Sequence, residues 1–181
     1  MSQLRPISLC NTTYKVISKI IVQRLRHLVP NIISPNQVAF VPGRQIQDNI
    51  VVAQEVLHKI KTMKGRSGYF AWKIDLAKAY DRLQWNFIWK VLGEVGIDGK
   101  MVDLIMNCIS SVQYRIVLNG EVTTSFTLGS GIRQGDPIFP YLFVMCMEKL
   151  SHLINHKLNS TDWKAIKVSR GGPAISHLFF R

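Results

Sequence analysis

The sequence predicts an α+β domain in which an antiparallel sheet packs with helices. Two observations carry that prediction: helical periodicity dominates the first third of the chain, and later segments mix strands with helices instead of alternating them regularly. The clearest strand signal is "VQYRIVLNGEVTTSFTL", where Tyr114, Ile116 and Leu118 alternate with more polar positions. Asn119-Gly120 then supplies the two positive φ angles of a type I′ turn, so the segment reads as a β-hairpin.

The elements follow in order. From Thr12 to Val29, Ile17, Ile20, Ile21, Leu25 and Leu28 recur at helical spacing, with Lys15, Lys19 and Arg26 opposite them. This is an amphipathic helix with a basic outer face, ended by Pro30 and Pro35. A short apolar piece, "QVAFV", precedes "PGR", and Ile46, Ile50, Ala53, Leu57 and Ile60 mark a second helix. The basic loop "KTMKGRSG" leads into "YFAWKIDLAKAYDRLQW", whose apolar start reads as a buried strand ending at Asp75. Helical spacing returns at Leu83, Phe87, Ile88, Val91 and Leu92, then at Val102, Ile105, Met106 and Ile109. After the hairpin, "GSGIRQGDPIFP" is a Gly- and Pro-rich loop and "YLFVMCMEKLSHLINHKL" a helix. "WKAIKVSRGGPAISHLFFR" closes the sequence as two short strands around a Gly-Gly-Pro turn.

Composition narrows the function. The 181 residues carry 23 Lys and Arg against 11 Asp and Glu, a formal net charge of +12 spread along the chain. Such a surplus makes a positive field suited to a polyanion, and nucleic acid is the commonest one in a cell. The longest apolar run, Tyr141 to Met147, is far short of the roughly 18 residues a membrane span needs, and no basic-then-apolar signal leader opens the sequence, so no membrane partner is expected. Cys10, Cys108 and Cys146 show neither zinc spacing nor a disulfide framework. They predict a reduced, intracellular protein of the cytoplasm or nucleus.

Two carboxylates frame the candidate chemistry. Asp75 closes the strand and opens a turn, where its side chain can either meet a ligand or bond to its own backbone. Asp81 stands three residues before Gln84 in a capping-box pattern, which marks a structural helix N-cap.

The succession "RPISLCNTTYKVISKIIVQRLRHLVPNIISPNQVAFVPGRQIQDNI", "KIDLAKAYDRLQW", "GIRQGDPIFPYLF" and "HLFF" resembles the reverse transcriptase of plant non-LTR (LINE-type) retrotransposons. The resemblance covers nearly the whole sequence, with the motifs in family order. It implies a right-hand polymerase with residues 1–68 in the fingers and 69–181 in an incomplete palm, the thumb absent. It also implies an RNA template, a DNA primer and deoxynucleoside triphosphates as partners. Two Mg²⁺ ions, for which Mn²⁺ could substitute, would be held by palm aspartates.

The same resemblance assigns residues. Asp75 becomes the first metal ligand and catalytic carboxylate, at the end of a strand expected beside the one formed by Ile175 to Phe180, with the carbonyl of Leu76 as a further hard oxygen donor. Tyr80 matches the aromatic ring that packs under the nucleotide sugar; from the residues alone it is an ordinary core tyrosine. Gln134 and Gly135, in "GIRQGDP", match the pocket for the incoming nucleotide and its template base. Asp136, before Pro137, is expected to start a helix rather than bind a ligand. Arg5 matches an arginine that meets the triphosphate, while Arg44 of "PGR" is a phosphate or backbone contact or a solvated surface charge.

The sequence departs from the family in two places. "DPIFP" stands where "DPLSP" is usual, so Phe139 brings a bulky ring to the nucleotide site. After "SHLFF" the family continues into an Ala-Asp-Asp turn, whereas here Arg181 follows and the sequence ends. The expectation is therefore a polymerase domain truncated before its remaining carboxylates and inactive alone, its oligomeric state open. The alternative is a non-enzymatic basic nucleic-acid-binding module or a decayed fragment.

Overall fold

The structure, a computed structural model, describes residues 10–65 and 68–180. It is an α+β chain with five helices among the described residues: α1 (Thr12–Ile32), α2 (Ile46–Thr62), α3 (Trp85–Glu94), α4 (Gly99–Ser110) and α5 (Phe139–Asn159). The strands are short: β1 (Gln113–Tyr114), β2 (Val117–Leu118), β3 (Glu121–Val122), β4 (Phe126–Thr127), β5 (Ile166–Lys167) and β6 (Ala174–Ile175). The chain separates into two compact units, one joining the residues up to Leu25 with Leu76–Cys146, the other joining Arg26–Asp75 with the residues from Met147 onward.

In the first unit α3 packs on α4. Ile88, Val91 and Leu92 of α3 and Val102, Ile105 and Ile109 of α4 are buried, each set at the three-to-four spacing of one helical face. Asp98 caps α4, accepting the Lys100 N–H at 3.0 Å and so satisfying one of the free donors of the first turn. The hairpin has the expected turn: Asn119 and Gly120 take φ of 52° and 86°, and β2 pairs with β3, Val117 opposite Val122. Farther out β1 pairs with β4, Tyr114 opposite Phe126. Two residues separate the ladders on one side and three on the other, which is a β-bulge. The Thr123 hydroxyl accepts the Ile116 N–H there at 3.0 Å.

In the second unit β5 and β6 form the expected Gly-Gly-Pro hairpin, with Ile166 opposite Ile175. Phe179 makes a parallel bridge to Gln37, and its N–H donates to the Asn36 carbonyl at 2.9 Å. Val29, Ile33, Val38, Ala39, Val41 and Ile166 are the buried apolar residues here.

Six expectations are corrected. The antiparallel pairing is three separate two-stranded ladders among the described residues, not one sheet. Tyr69 to Asp75 forms no strand; the segment is unpaired, and Phe70, Trp72 and Ile74 are 77%, 78% and 72% exposed. The neighbour expected for it, the stretch from Ile175 to Phe180, pairs instead with β5 and Gln37. Asp81 caps no helix, because α3 begins at Trp85 with Gln84 at the N-cap and no side-chain bond there. The inner face of α1 is also rotated: Ser18, Ile21, Leu25 and Val29 are buried, while Ile17, Ile20 and Leu28 are exposed. Ser18 sets this rotation by bonding inward, as described next. α1 also runs past Pro30, which lies in its last turns and forfeits one backbone bond.

Candidate nucleotide and metal site

The loop "GIRQGDP" is fixed in the first unit from two sides. On one side three bonds strap it to residues 80–85. The Gly131 N–H donates to the Leu83 carbonyl at 2.7 Å, Ile132 N–H to that of Tyr80 at 3.2 Å, and the Trp85 indole N–H to the Gly131 carbonyl at 2.8 Å. Gly131 is required for this approach. Its φ is +83°, and a Cβ would lie 3.0 Å from the Asp81 carbonyl oxygen.

On the other side the anchor is Asp136. One carboxylate oxygen accepts the Ser18 hydroxyl at 2.5 Å and the Ile138 N–H at 3.1 Å, and the other accepts the Tyr14 hydroxyl in a short bond. Asp136 is buried, so these donors are what makes its charge tolerable there. The Ile138 bond just before α5 gives it the expected place at a helix start. Arg133 completes the cluster: its guanidinium lies 4.2 Å from the centre of the Tyr14 ring and donates to the Cys108 carbonyl at 3.1 Å. Burial, then the bond to Asp136, push the Tyr14 phenol up, so it stays a donor at neutral pH. Burial likewise raises the Cys108 thiol, and pushes that of Cys146 up to about 12. Neither is a thiolate nucleophile.

Between these anchors the loop presents Gln134 and Gly135. Gly135 is exposed with φ +98°, and Gln134, half-buried, makes no side-chain hydrogen bond among the described residues. Tyr80 is half-buried, its ring centre 4.3 Å from that of Phe139 and 4.6 Å from that of Phe143. Phe139 is itself buried, so the ring that departs from the family pattern fills space beside Tyr80.

The remaining candidates are placed separately. Asp75 is exposed and makes no hydrogen bond or ion pair among the described residues. The Leu76 carbonyl accepts the Ala79 N–H at 3.3 Å in a turn and keeps a second lone pair. Arg5 lies outside the described residues. Arg44, in the second unit, donates to the carbonyls of Ser34, Gln37, Ile33 and Pro30 at 2.5, 2.7, 2.9 and 3.4 Å. It thereby gathers the open carbonyls around the end of α1. Sequence periodicity gave no hint of Tyr14, Ser18 or Arg133. The only available signal was a serine and a tyrosine four residues apart on one helix face.

The sequence matches the family described as reverse transcriptase (RNA-dependent DNA polymerase) over residues 1–170. The chain belongs to that family. It is 30% identical over 154 residues to a transposon TX1 uncharacterized 149 kDa protein of Xenopus laevis, covering 85% of this chain and 12% of that one. It is 31% identical over 107 residues to a retrovirus-related Pol polyprotein from a type-1 retrotransposable element R2 of Popillia japonica (59% of this chain, 17% of that one). A Drosophila melanogaster Pol polyprotein from element R2DM is 28% identical over 163 residues, 90% of this chain and 15% of that one. The chain thus spans between 12% and 17% of the length of these relatives. An uncharacterized mitochondrial protein of Arabidopsis thaliana is 41% identical over 64 residues, 35% of this chain and 52% of that one.

This is a reverse transcriptase domain of the kind found in non-LTR retrotransposon Pol proteins, a family that uses divalent metal ions and implies an RNA template and nucleotide substrates. The described residues alone do not fit a two-ion centre. No group of three or more His, Cys, Asp or Glu among them could hold a metal, and a single exposed carboxylate leaves an ion mostly hydrated. No helix among the described residues is long and apolar enough to cross a membrane.

Proposed function

We propose that this chain supplies the fingers (residues 1–68) and part of the palm (69–181) of an RNA-directed DNA polymerase of a non-LTR retrotransposon. The observation that carries the reading is the family match over residues 1–170, with Tyr80 and the loop of Gln134 and Gly135 held in one unit by direct backbone bonds. Tyr80 presents a ring stiffened by Phe139 and Phe143, suited to lie against a deoxyribose and exclude a 2′ hydroxyl. Gln134 offers an unspent amide to a base edge, and Gly135 lets the backbone come close. Asp75 and the Leu76 carbonyl contribute hard oxygens toward Mg²⁺, or Mn²⁺ in its place. Arg5 meets the triphosphate. Arg44 can reach a phosphate only through its remaining Nε–H, since its other donors point at carbonyls of its own chain.

With Asp75 as the one carboxylate in place, the 181-residue chain alone is expected to show no primer extension. A basic binding module without chemistry is the weaker reading, because the family match includes the polymerase motifs themselves. The test joins this chain to the sequence that follows the matched region in the Popillia japonica relative. The expected result is Mg²⁺-dependent extension of a DNA primer on an RNA template, lost in Asp75→Asn. Extension that survives Asp75→Asn would overturn the assignment, and extension by the 181-residue chain itself would overturn its inactivity.

A further inference from the structure

An open cavity of about 630 Å³ lies within the second unit, lined by Ser34, Asn36, Tyr69, Asn155, Trp163 and Lys164 among others. None of these residues has a role in the reading above. We propose that this cavity is a second binding site, taking one nucleotide of a single-stranded nucleic acid with its base against Trp163 and its phosphate on Lys164.

Size comes first: the volume falls within the range of about 300–1,000 Å³ typical of small-molecule pockets. The lining has the three chemistries a flexible strand needs. Trp163 and Tyr69 are 54% and 38% exposed, two large ring faces kept in water at the cavity. Every base has a π-face, so such rings accept any sequence. Asn155 brings an amide that can donate and accept at a base edge, and the Asn36 side-chain carbonyl and the hydroxyls of Ser34 and Ser176, bonded to Ser151 and His177, add acceptor oxygens.

Lys164 has no ion-pair partner among the described residues, whereas the neighbouring Asp162 is neutralised by Lys157 at 3.1 Å and bonded by Ser160 at 2.9 Å. The cavity thus offers a free cation and no free carboxylate from that stretch. Lys167 and Arg170, exposed on the β5–β6 hairpin, extend the positive charge.

The backbone that carries the ring is also held in position. After α5 the chain turns at Thr161, a β-branched residue at φ +62°, and the Trp163 N–H returns to the Lys157 carbonyl at 3.2 Å. Asn36 is fixed in turn, its carbonyl accepting the Asn49 side-chain amide at 2.9 Å and its own amide meeting His177 at 3.2 Å.

The choice of a nucleic acid over another anion rests on the polymerase reading and on the formal charge of +12. The test measures fluorescence anisotropy of labelled oligo(U) on the full chain, beside an abasic oligomer of equal length. Trp163→Ala is expected to weaken oligo(U) binding about five- to hundredfold, the range that loss of one stacked base gives, and to leave the abasic oligomer unchanged. Lys164→Gln should weaken both and reduce the salt slope of log K by about 0.7, one single-strand phosphate. Trp89→Ala, a ring of similar exposure on α3, is the folding and surface control and should change neither. Full-strength oligo(U) binding by both cavity variants would overturn this site while leaving the polymerase reading intact. No binding by the unaltered chain at low ionic strength would overturn both.

Discussion

Each of the two units is organised around one charged side chain, and the two solve the same problem with opposite chemistry. In the first, Asp136 collects donors from Tyr14, Ser18 and the Ile138 backbone, tying α1 to the start of α5. In the second, Arg44 collects acceptors, the carbonyls of Pro30, Ile33, Ser34 and Gln37. The partners differ in kind. Asp136 draws mostly on side chains far away in sequence, whereas Arg44 draws only on backbone within 14 residues of itself. Asp136 therefore joins elements distant in the chain, and Arg44 finishes one local turn. Both belong to motifs, "GDP" and "PGR", for which the sequence resemblance raised an expectation of substrate contact. In the structure both spend nearly all their bonding capacity on the fold itself.

Breaking the long-range node should have the largest effect. Asp136→Ala leaves the Ser18 hydroxyl without its acceptor in a buried place, and leaves the Ile138 N–H and the Tyr14 hydroxyl only their longer bonds to the Ser18 hydroxyl at 3.2 Å and the Cys108 carbonyl at 3.3 Å, at about 1–3 kcal/mol for each group and less than additively. A total loss of about 3–5 kcal/mol is expected from the shift in the urea midpoint. Asp136→Asn keeps one oxygen for Ser18 and Ile138, so it should lose less than half as much. Equal losses in the two variants would mean that the carboxylate's second oxygen, and hence Tyr14, carries most of the node.

The local node sharpens the contrast. Arg44→Lys preserves the charge that a phosphate would need but replaces a planar fork by a single ammonium, which cannot reach four carbonyls at once. The expected loss is about 1.5–3 kcal/mol, the range for hydrogen bonds to a charged group. Hydrogen exchange should localise it to the last turn of α1 and the residues through Gln37. Nucleic-acid affinity should stay within about twofold, because Coulomb attraction to a phosphate survives the change. A variant with unchanged stability and weakened nucleic-acid binding would move Arg44 from the fold to the phosphate.

What the sequence made legible follows the same division between local and distant causes. The five helices, the Asn119-Gly120 turn and the hairpin around Gly171 and Gly172 depend on spacing and turn chemistry over a few residues, and they formed within a few residues of where they were expected. The rotation of α1 did not follow from its apolar pattern, because Ser18 is drawn inward by Asp136, 118 residues away. Counting isoleucines placed Ile17 and Ile20 inside; a buried hydrogen bond placed them outside. The stretch from Tyr69 to Asp75 failed for another reason. Alternating Phe70, Trp72 and Ile74 describe a strand only if a partner strand is available, and the residues expected to provide it are engaged elsewhere. The candidate site divides in the same way. The loop of Gln134 and Gly135 was singled out by its motif, while Tyr14 and Ser18, which hold its Asp136 from α1, lie outside the motif and off the apolar pattern.

The smallest effect expected concerns His177, and it tests whether the second unit has a long-range node of its own. The imidazole sits between the Ser151 hydroxyl at 2.8 Å from Nε2 and the Ser176 hydroxyl at 2.8 Å from Nδ1, with the Asn36 amide 3.2 Å from Nε2. Burial lowers its pKa below the usual value of 6.5. In the unfolded chain the ring takes up a proton as pH falls through about 6.5. In the folded chain it does so only at lower pH, where Nε2–H would face the donor amide of Asn36. The unfolded state thus binds more protons over that window, so stability falls as pH is lowered from about 6.5 and levels off below the folded pKa. His177→Gln retains a polar group but cannot titrate, so the difference between it and the parent chain should shrink on acidification. Urea midpoints at pH 7.5 and pH 5, on either side of the unfolded value of about 6.5, measure that change when compared for the two chains. If the two curves run parallel across that interval, His177 takes up its proton in the folded chain as it does in the unfolded one, and burial does not lower its pKa. The long-range fastening in its neighbourhood would then rest on the Asn49 amide, which bonds to the carbonyls of Asn36 and Phe179 at 2.9 and 2.8 Å, and on Ser34, whose hydroxyl meets that of Ser151 at 3.0 Å and whose N–H donates to Glu148 at 3.1 Å.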